Sequence, residues 1–172
     1  MGKVVIVNKK DQVLGEESRN VAHQVNGLLH RGFIVLIFNQ KRELLLVKRS
    51  KKKMLWSLFW DGCCSHPRLG EGYIKAGERR LKEELGFSCQ LKHIDKFYYR
   101  AVYQDVGSEE EICAVLEGKY NGQIKPDSEE VADYRWIDLE ELEKEIKTRP
   151  EIFVPWLKLI IRKPVKEDDE KN

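Results

Sequence analysis

The stretch SHPRLGEGYIKAGERRLKEELGF, which spans Ser65 to Phe87, decides the fold of this chain. Its apolar residues recur at roughly helical spacing from Glu71 to Leu85, and Gly86 follows as a typical C-terminal stop. This helix carries Arg79, Arg80, Glu83 and Glu84 among its charged residues. The segment therefore predicts a loop that leads into a helix with arginines and glutamates close together on its surface.

The spacing of these residues is similar to that of a Nudix box, G-x5-E-x7-R-E-U-x-E-E-x-G-U in one-letter terms, where U is a bulky apolar residue. The matching positions are Glu71, Arg79, Leu81, Glu83, Glu84, Gly86 and Phe87. Ser65 replaces the first glycine, and Arg80 replaces a glutamate on which Nudix hydrolases rely for metal binding. This substitution disfavours ordinary hydrolysis, because an arginine can bind a diphosphate without cleaving it. An amphipathic helix with ordinary Arg and Glu pairs is the alternative.

The rest of the chain predicts strands mixed with a few helices. Upstream we predict two hairpins, with strands at residues 3–8 and 11–14 and at 31–38 and 43–49. Downstream we predict strands at 88–104, 110–118 and 132–136, and helices at 139–148 and 154–162. Without a repeating βαβ period, the pattern indicates an α+β fold, a Nudix-type mixed β-sheet sandwich with flanking helices. We expect a single domain over residues 1–163 and a charged, disordered tail over 164–172.

Composition narrows the classes of partner. The 172 residues include 31 Lys and Arg against 29 Asp and Glu, a net charge of +2, which gives no reason to expect nucleic acid. Apolar runs such as residues 32–38 are far shorter than the about 20 residues of a membrane span. Because the N-terminus also lacks a signal peptide, we expect a cytoplasmic protein whose four cysteines are free thiols or site residues.

Three of the four histidines and two glutamates are candidate metal ligands. His23 and His30 precede or open a predicted strand, and His66 follows a cysteine pair. Glu109 and Glu111 are two residues apart, so on a strand they would face the same side. Taken singly, each histidine is more typical of a surface or hydrogen-bonded residue, and the glutamates of an exposed turn. Together they would suit a divalent ion such as Zn²⁺ or Mn²⁺.

Several separate motifs between about His23 and Trp156 resemble those of the type I isopentenyl-diphosphate isomerases, a Nudix family. They are the two histidines seven residues apart, Cys-x-His-Pro at 64–67, Tyr-Arg-Ala at 99–101 followed by Glu-x-Glu at 109–111, and Pro-Trp at 155–156. One departure is the loop from Trp60 to Cys64, which is one residue shorter than is usual in the family. Asp61 and Gly62 stand there in place of the usual Asn or Thr.

The resemblance implies a role for each candidate residue. The implied metal ligands are His23, His30, His66, Glu109 and Glu111. Cys64 and Glu111 would be the acid/base pair, with Tyr99 assisting Glu111. A Mg²⁺ ion on the substrate diphosphate would be held by Glu84 and the carbonyl of Cys64. Arg49, Lys53 and Arg80 resemble the diphosphate-binding cations, which would give a purpose to part of the basic cluster at residues 48–53, otherwise a solvated loop.

The implied reaction is the interconversion of isopentenyl and dimethylallyl diphosphate in isoprenoid biosynthesis. Moving an unactivated double bond requires an acid at one carbon and a base at another. The resulting tertiary carbocation must be shielded from water, and the indole face of Trp156 is the candidate for stabilising it. We expect one divalent ion, Mn, Zn or Mg, at the His/Glu site and a monomer or weak homodimer. The alternatives are a Nudix hydrolase of an organic or nucleoside diphosphate and a metal-stabilised binding module.

Overall fold

The computed structural model describes residues 2–162, so the expected tail at 164–172 lies outside the described residues. The strands are β1 (Lys3–Val7), β2 (Val13–Ser18), β3 (His30–Phe38), β4 (Leu44–Arg49), β5 (Trp60–Asp61), β6 (Cys63–Ser65), β7 (Leu91–Tyr103), β8 (Gly107–Lys119) and β9 (Val131–Ile137). The helices are α1 (Arg19–Ala22), α2 (Tyr73–Leu85), α3 (Leu139–Thr148) and α4 (Pro155–Ile161), with a 3₁₀ turn over Pro150–Ile152. Sequence analysis missed β5, β6 and α1, which are too short for their periodicity to be recognised.

Strand β3 lies at the centre of a mixed sheet. Along one edge β8 runs parallel to it, with His30 opposite Glu111. Along its other edge β6 runs antiparallel, with Ile34 opposite Cys64. Because parallel and antiparallel strands share one sheet, the predicted mixed α+β architecture is confirmed. The pairing also brings residues from three distant segments to the same end of β3.

In the second predicted hairpin, β3 and β4 pair only next to the turn. Strands β3 and β4 pair at Phe38 and Leu44 alone. Beyond the turn β4 separates from β3 and pairs with β9 along its whole length, while β3 pairs with β8. The predicted pairing was wrong in extent, because an apolar run that is buried on both faces does not reveal which strand lies beside it.

Both faces of the sheet are covered by helices. Side chains alternate along a strand, so Ile34 and Leu36 pack on the face that carries α3 and α4. Phe33, Val35 and Ile37 pack on the opposite face against α2. Within residues 2–162, no helix is long and apolar enough to span a membrane.

Candidate active site

Three histidines that are distant in the sequence converge at one end of β3. His23 follows α1, His30 is the first residue of β3, and His66 follows β6. The centroids of their rings are 4.7, 5.1 and 5.0 Å apart in pairs. His23 and His30 are buried, and His66 is partly buried. The predicted convergence of the three imidazoles is therefore present in the fold.

Backbone carbonyls orient two of these rings. The Nδ1 atom of His23 lies 2.7 Å from the carbonyl oxygen of Arg19, one helical turn earlier, and Nδ1 of His30 lies 2.7 Å from that of Leu28. A carbonyl oxygen can only accept, so Nδ1 carries the proton in both rings and donates it. In the neutral imidazole the lone pair is then on Nε2. This second hydrogen bond is typical of histidines that bind a metal.

Two glutamates from β8 complete the cluster. The Oε2 atom of Glu109 lies 2.8 Å from Nε2 of His23 and 3.5 Å from Nε2 of His30. The Oε1 atom of Glu111 lies 3.1 Å from Nε2 of His66 and 3.5 Å from Nε2 of His30. Because side chains two apart on a strand share a face, both carboxylates reach the imidazoles from the same side, as predicted.

The donor atoms of this cluster fit a divalent ion. One ligand atom from each of His23, His30, His66 and Glu109 lies within 4.8 Å of all the others. Although these atoms are close, the three Nε2 atoms and Glu109 Oε2 are buried without a well-directed hydrogen-bond partner among residues 2–162. Buried polar atoms rarely stay unpaired, so four that point at one place indicate a ligand. Three imidazole nitrogens with a carboxylate oxygen suit Zn²⁺ or Mn²⁺.

The carboxylate of Glu111 occupies space that the absence of a side chain at Gly32 leaves open. A Cβ atom at Gly32 would lie 2.2 Å from the Cδ and Oε2 atoms of Glu111. The hydroxyl of Tyr99 donates a hydrogen bond of 2.8 Å to Glu111 Oε2. Burial and the nearby Glu111 carboxylate raise the pKa of Tyr99 well above its usual value, which keeps the hydroxyl a donor. Glu111 is thus held in a defined position between Tyr99 and the imidazoles.

Replacing Gly32 by alanine should therefore displace the carboxylate of Glu111 without removing any candidate catalytic group. We expect Gly32→Ala to lower turnover by about 10- to 100-fold, the range seen when the support of a metal ligand is lost. Gly2→Ala is the control, because no atom lies within 4 Å of a Cβ at that exposed position. Full activity of Gly32→Ala in a steady-state assay would contradict the position assigned to Glu111.

The thiol of Cys64 lies on β6 and points away from that of its neighbour. Cys63 packs against α2 in the core on one face of the sheet, whereas Cys64 packs against the core on the other face. The Sγ atom of Cys64 donates to Oδ2 of Asp61 at 2.8 Å. Burial and the charge of Asp61 raise the pKa of Cys64 well above its usual value. Cys64 is therefore a protonated thiol in this structure and can serve as an acid.

Arg49 is buried beside Cys64 rather than projecting from the loop. Its Nε donates to the carbonyl of Trp56 and one terminal nitrogen to that of Leu55, both at 3.0 Å. The other terminal nitrogen donates to Asp61 at 3.0 Å and to Cys64 Sγ at 3.4 Å. Four of the five N–H groups of the guanidinium are thus already bonded within the protein. Its implied contact with a diphosphate remains a prediction.

Two other predicted cations, Lys53 and Arg80, line the same cavity and share a carboxylate. Lys53 pairs with Glu130, and a terminal nitrogen of Arg80 lies 3.2 Å from Glu130 Oε1. The Nε atom of Arg80 donates to Glu84 at 2.9 Å. In the same basic cluster Lys52 pairs with an exposed glutamate, and its side chain is exposed. The basic run therefore contributes Lys53 to the site, while Lys52 is solvated.

One cavity brings most of the predicted site residues together. Those that line it are Arg49, Lys53, Cys64, His66, Arg80, Tyr99, Glu109, Glu111 and Trp156. His23, His30 and Glu84 are buried next to it and are not among the lining residues. The indole of Trp156 is buried, with its centroid 5.6 Å from that of Tyr99 and 5.2 Å from that of Trp56.

Five residues that line this cavity were missed by sequence analysis: Arg19, Phe33, Ser65, Cys113 and Glu130. Arg19 is four residues before His23, a helical spacing, but the four-residue α1 was not predicted. Glu130 is far along the chain from Lys53 and Arg80, and no pattern in the sequence connects it with them. Its place depends on the pairing of β9 with β4.

Comparisons with known proteins identify the family of this chain. Residues 28–157 match the family model for the NUDIX domain. An isopentenyl-diphosphate Delta-isomerase of Photorhabdus laumondii is 37% identical over 159 residues, which are 92% of this chain and 89% of that protein. One from Aromatoleum aromaticum is 35% identical over 170 residues, 97% of this chain and 96% of that protein.

Solved structures support the fold in a separate way. A crystal structure of a Deinococcus radiodurans protein has a TM-score of 0.77 and 19% identity, and the match covers 94% of this chain and 98% of that one. The MutT protein from Methanosarcina mazei has a TM-score of 0.65 and 20% identity, over 77% of this chain and 90% of that one. At these identities the likeness shows the fold alone.

Proposed function

This chain belongs to the isopentenyl-diphosphate Delta-isomerases of the Nudix superfamily, and on that premise we propose that the cavity lined by Cys64 and Glu111 is its active site. The protein interconverts isopentenyl diphosphate and dimethylallyl diphosphate. One observation carries the assignment of the site: Cys64 on β6 and Glu111 on β8 flank β3 from opposite edges and line the same cavity. An acid and a base on two sides of a small substrate are what the reaction requires.

Cys64 and Glu111 exchange protons with the two ends of the allylic unit. One group delivers a proton to the terminal methylene carbon, which leaves a tertiary carbocation at the branched carbon. The other removes a proton from the carbon next to the diphosphate-bearing carbon, and the double bond re-forms there. The atoms balance, because one proton is added and one is removed. Tyr99 orients Glu111 through the 2.8 Å hydrogen bond of its hydroxyl.

Buried aromatic residues protect the carbocation between these two steps. Tyr99 and Trp156 line the cavity, and both are at most 5% exposed. An aromatic face attracts a cation by about 2 kcal/mol or more when water is excluded. The cavity wall therefore lowers the energy of the intermediate and keeps water from adding to it.

A divalent ion, Mn, Zn or Mg, would be held by His23, His30, His66 and Glu109, with Glu111 at its edge. When bound, the ion would supply a positive charge that stabilises the carboxylate form of Glu111 and the close approach of the two glutamates. Backbone groups of the protein orient two of these ligands. The carbonyls of Arg19 and Leu28 keep the Nε2 atoms of His23 and His30 free to bind it.

The diphosphate would occupy the end of the cavity near Lys53 and Arg80. Both are cations that line the cavity, and Arg80 stands where an ordinary Nudix box has a glutamate. Glu84, which accepts from Arg80 at 2.9 Å, would bind a Mg²⁺ ion that accompanies the diphosphate, together with the Cys64 carbonyl. Glu130 forms ion pairs with both cations.

Incubation of the protein with isopentenyl diphosphate and Mg²⁺ in deuterated water tests this function. We expect dimethylallyl diphosphate that carries solvent deuterium in a methyl group, because the proton is delivered by an exchangeable site. Release of inorganic phosphate or diphosphate without isomerisation would instead support the hydrolase alternative. A protein that neither isomerises nor hydrolyses isopentenyl diphosphate would contradict both functions.

A further inference from the structure

Asp61 is a fully buried acid that the reaction described above does not use. Its side chain is 0% exposed, at the end of the two-residue strand β5. Oδ2 accepts from the thiol of Cys64 at 2.8 Å and from Arg49 at 3.0 Å. Oδ1 accepts from the indole nitrogen of Trp156 at 2.9 Å and from the backbone N–H of Gly62 at 2.8 Å. One carboxylate thus connects the proposed acid with the proposed carbocation-stabilising ring.

Three of the four neighbours of this carboxylate, the guanidinium of Arg49, the indole N–H of Trp156 and the backbone N–H of Gly62, can only donate. Burial raises the pKa of Asp61, and the ion pair with Arg49 opposes this and favours the ionised form, which only accepts. A buried charge is expensive unless it is paired, and the guanidinium of Arg49 provides the pairing. The interactions of Asp61 therefore form a complete network in which each bond limits the movement of the others.

We propose that Asp61 is a positioning residue, which holds the Cys64 thiol and the Trp156 indole in the arrangement that protonation of the alkene requires. This inference rests on the proposed roles of Cys64 and Trp156. The thiol is held by a directed hydrogen bond and not by packing alone, since Cys64 is only partly buried. A free thiol would rotate among staggered positions, and only some of them face the substrate.

The short loop between β5 and β6 makes this arrangement possible. Only Gly62 and Cys63 separate Asp61 from Cys64, so the carboxylate can accept a hydrogen bond from the thiol three residues further along the chain. In typical isopentenyl-diphosphate isomerases this loop is one residue longer, and it carries Asn or Thr where this chain has Asp61 and Gly62. A neutral amide has one accepting oxygen, whereas Asp61 uses both oxygens as acceptors. A side chain with a single accepting oxygen would therefore not reproduce the four hydrogen bonds of Asp61.

Asp61→Asn tests the proposal with almost no change in volume. The amide nitrogen of the asparagine would replace one of the two carboxylate oxygens and would face the two donors of that oxygen. Two of the four hydrogen bonds would therefore be lost. We expect kcat to fall by about 10-fold or more while KM for isopentenyl diphosphate changes by less than about threefold, because Lys53 and Arg80 are not touched. A variant with wild-type kcat, or one in which only KM rises, would overturn the positioning role.

Leu142→Ala is the matched control for lost stability. Leu142 is fully buried in α3 and is not among the residues lining the cavity. Both variants are assayed well below their melting temperatures. We expect Leu142→Ala to melt earlier but keep its kcat, and a fall in kcat equal to that of Asp61→Asn would show that Asp61 acts through stability alone.

The thiol itself gives a readout that does not depend on the folding of Asp61→Asn. The S–H stretch of a cysteine absorbs in an otherwise clear part of the infrared spectrum, and a hydrogen bond shifts it to lower frequency. The difference between the spectra of wild type and Cys64→Ala isolates the Cys64 band. A band shifted as for a thiol bonded to a carboxylate supports the proposal, and a band at the free-thiol frequency overturns it. If wild type proved inactive as an isomerase, the proposed function would fail, while this band would still report on the contact.

Discussion

Replacement of Cys64 by alanine is expected to reduce isomerase turnover by about 100- to 10,000-fold, the range that a positioned acid or base contributes. The thiol of Cys64 lies on β6 and lines the cavity, and alanine has no proton to transfer. The metal ligands and the cations Lys53 and Arg80 are unchanged in this variant. Affinity for a diphosphate inhibitor should therefore change far less than the rate, which is the signature of an interaction made chiefly in the transition state.

Cys63→Ala is the internal control for this experiment. Cys63 is adjacent to Cys64, yet it packs on the other face of the sheet with Ala76 and Leu81 of α2. Its loss should leave a small cavity that costs about 1 kcal/mol of stability and should leave turnover almost unchanged. Equal activity of the two alanine variants, or an essential Cys63, would mean that the acid has been assigned to the wrong cysteine.

Replacement of Glu109 by glutamine is expected to abolish binding of the divalent ion. The substitution keeps the shape of the side chain but removes the charge whose Oε2 lies 2.8 Å from His23. Loss of a group that hydrogen-bonds to a metal ligand already lowers the affinity for the metal by about 10- to 100-fold, so loss of a ligand itself should lower it further. The metal content of desalted protein, measured by elemental analysis, should fall from about one ion per chain to near zero. Added Mn²⁺ or Zn²⁺ should raise the melting temperature of wild type but not that of Glu109→Gln.

Glu110→Gln is the matched control on the same strand. Glu110 points to the other side of β8, where it accepts from the hydroxyl of Tyr98 at 3.0 Å. We expect it to bind the ion as wild type does. An unchanged metal content in Glu109→Gln would remove Glu109 from the site, and an equal loss in both variants would indicate a general effect of charge.

The predictions from sequence succeeded for the features that depend on residue spacing within one segment. The helix over Tyr73–Leu85 lies within the predicted range, and Gly86 ends it with a left-handed φ of 75°. The alternation at Glu109 and Glu111 was enough to predict that both carboxylates share a face. Local spacing determines these features because helical and strand periods are properties of the backbone.

The sequence by itself determined the Nudix-type fold, the family and the residue types of the site, because each depends on spacing along one segment or on separate motifs. Only the tertiary structure decided what lies beside what. The extent of the β3–β4 pairing, the burial of Arg49, and the place of Arg19 and Glu130 in the cavity follow from contacts between distant segments. The carboxylate of Asp61 illustrates the difference: in the sequence it is one acid in a short loop. In the fold it accepts from Cys64 and, 95 positions later, from Trp156, because strand pairing and helix packing bring these groups together in a core that admits only paired charges.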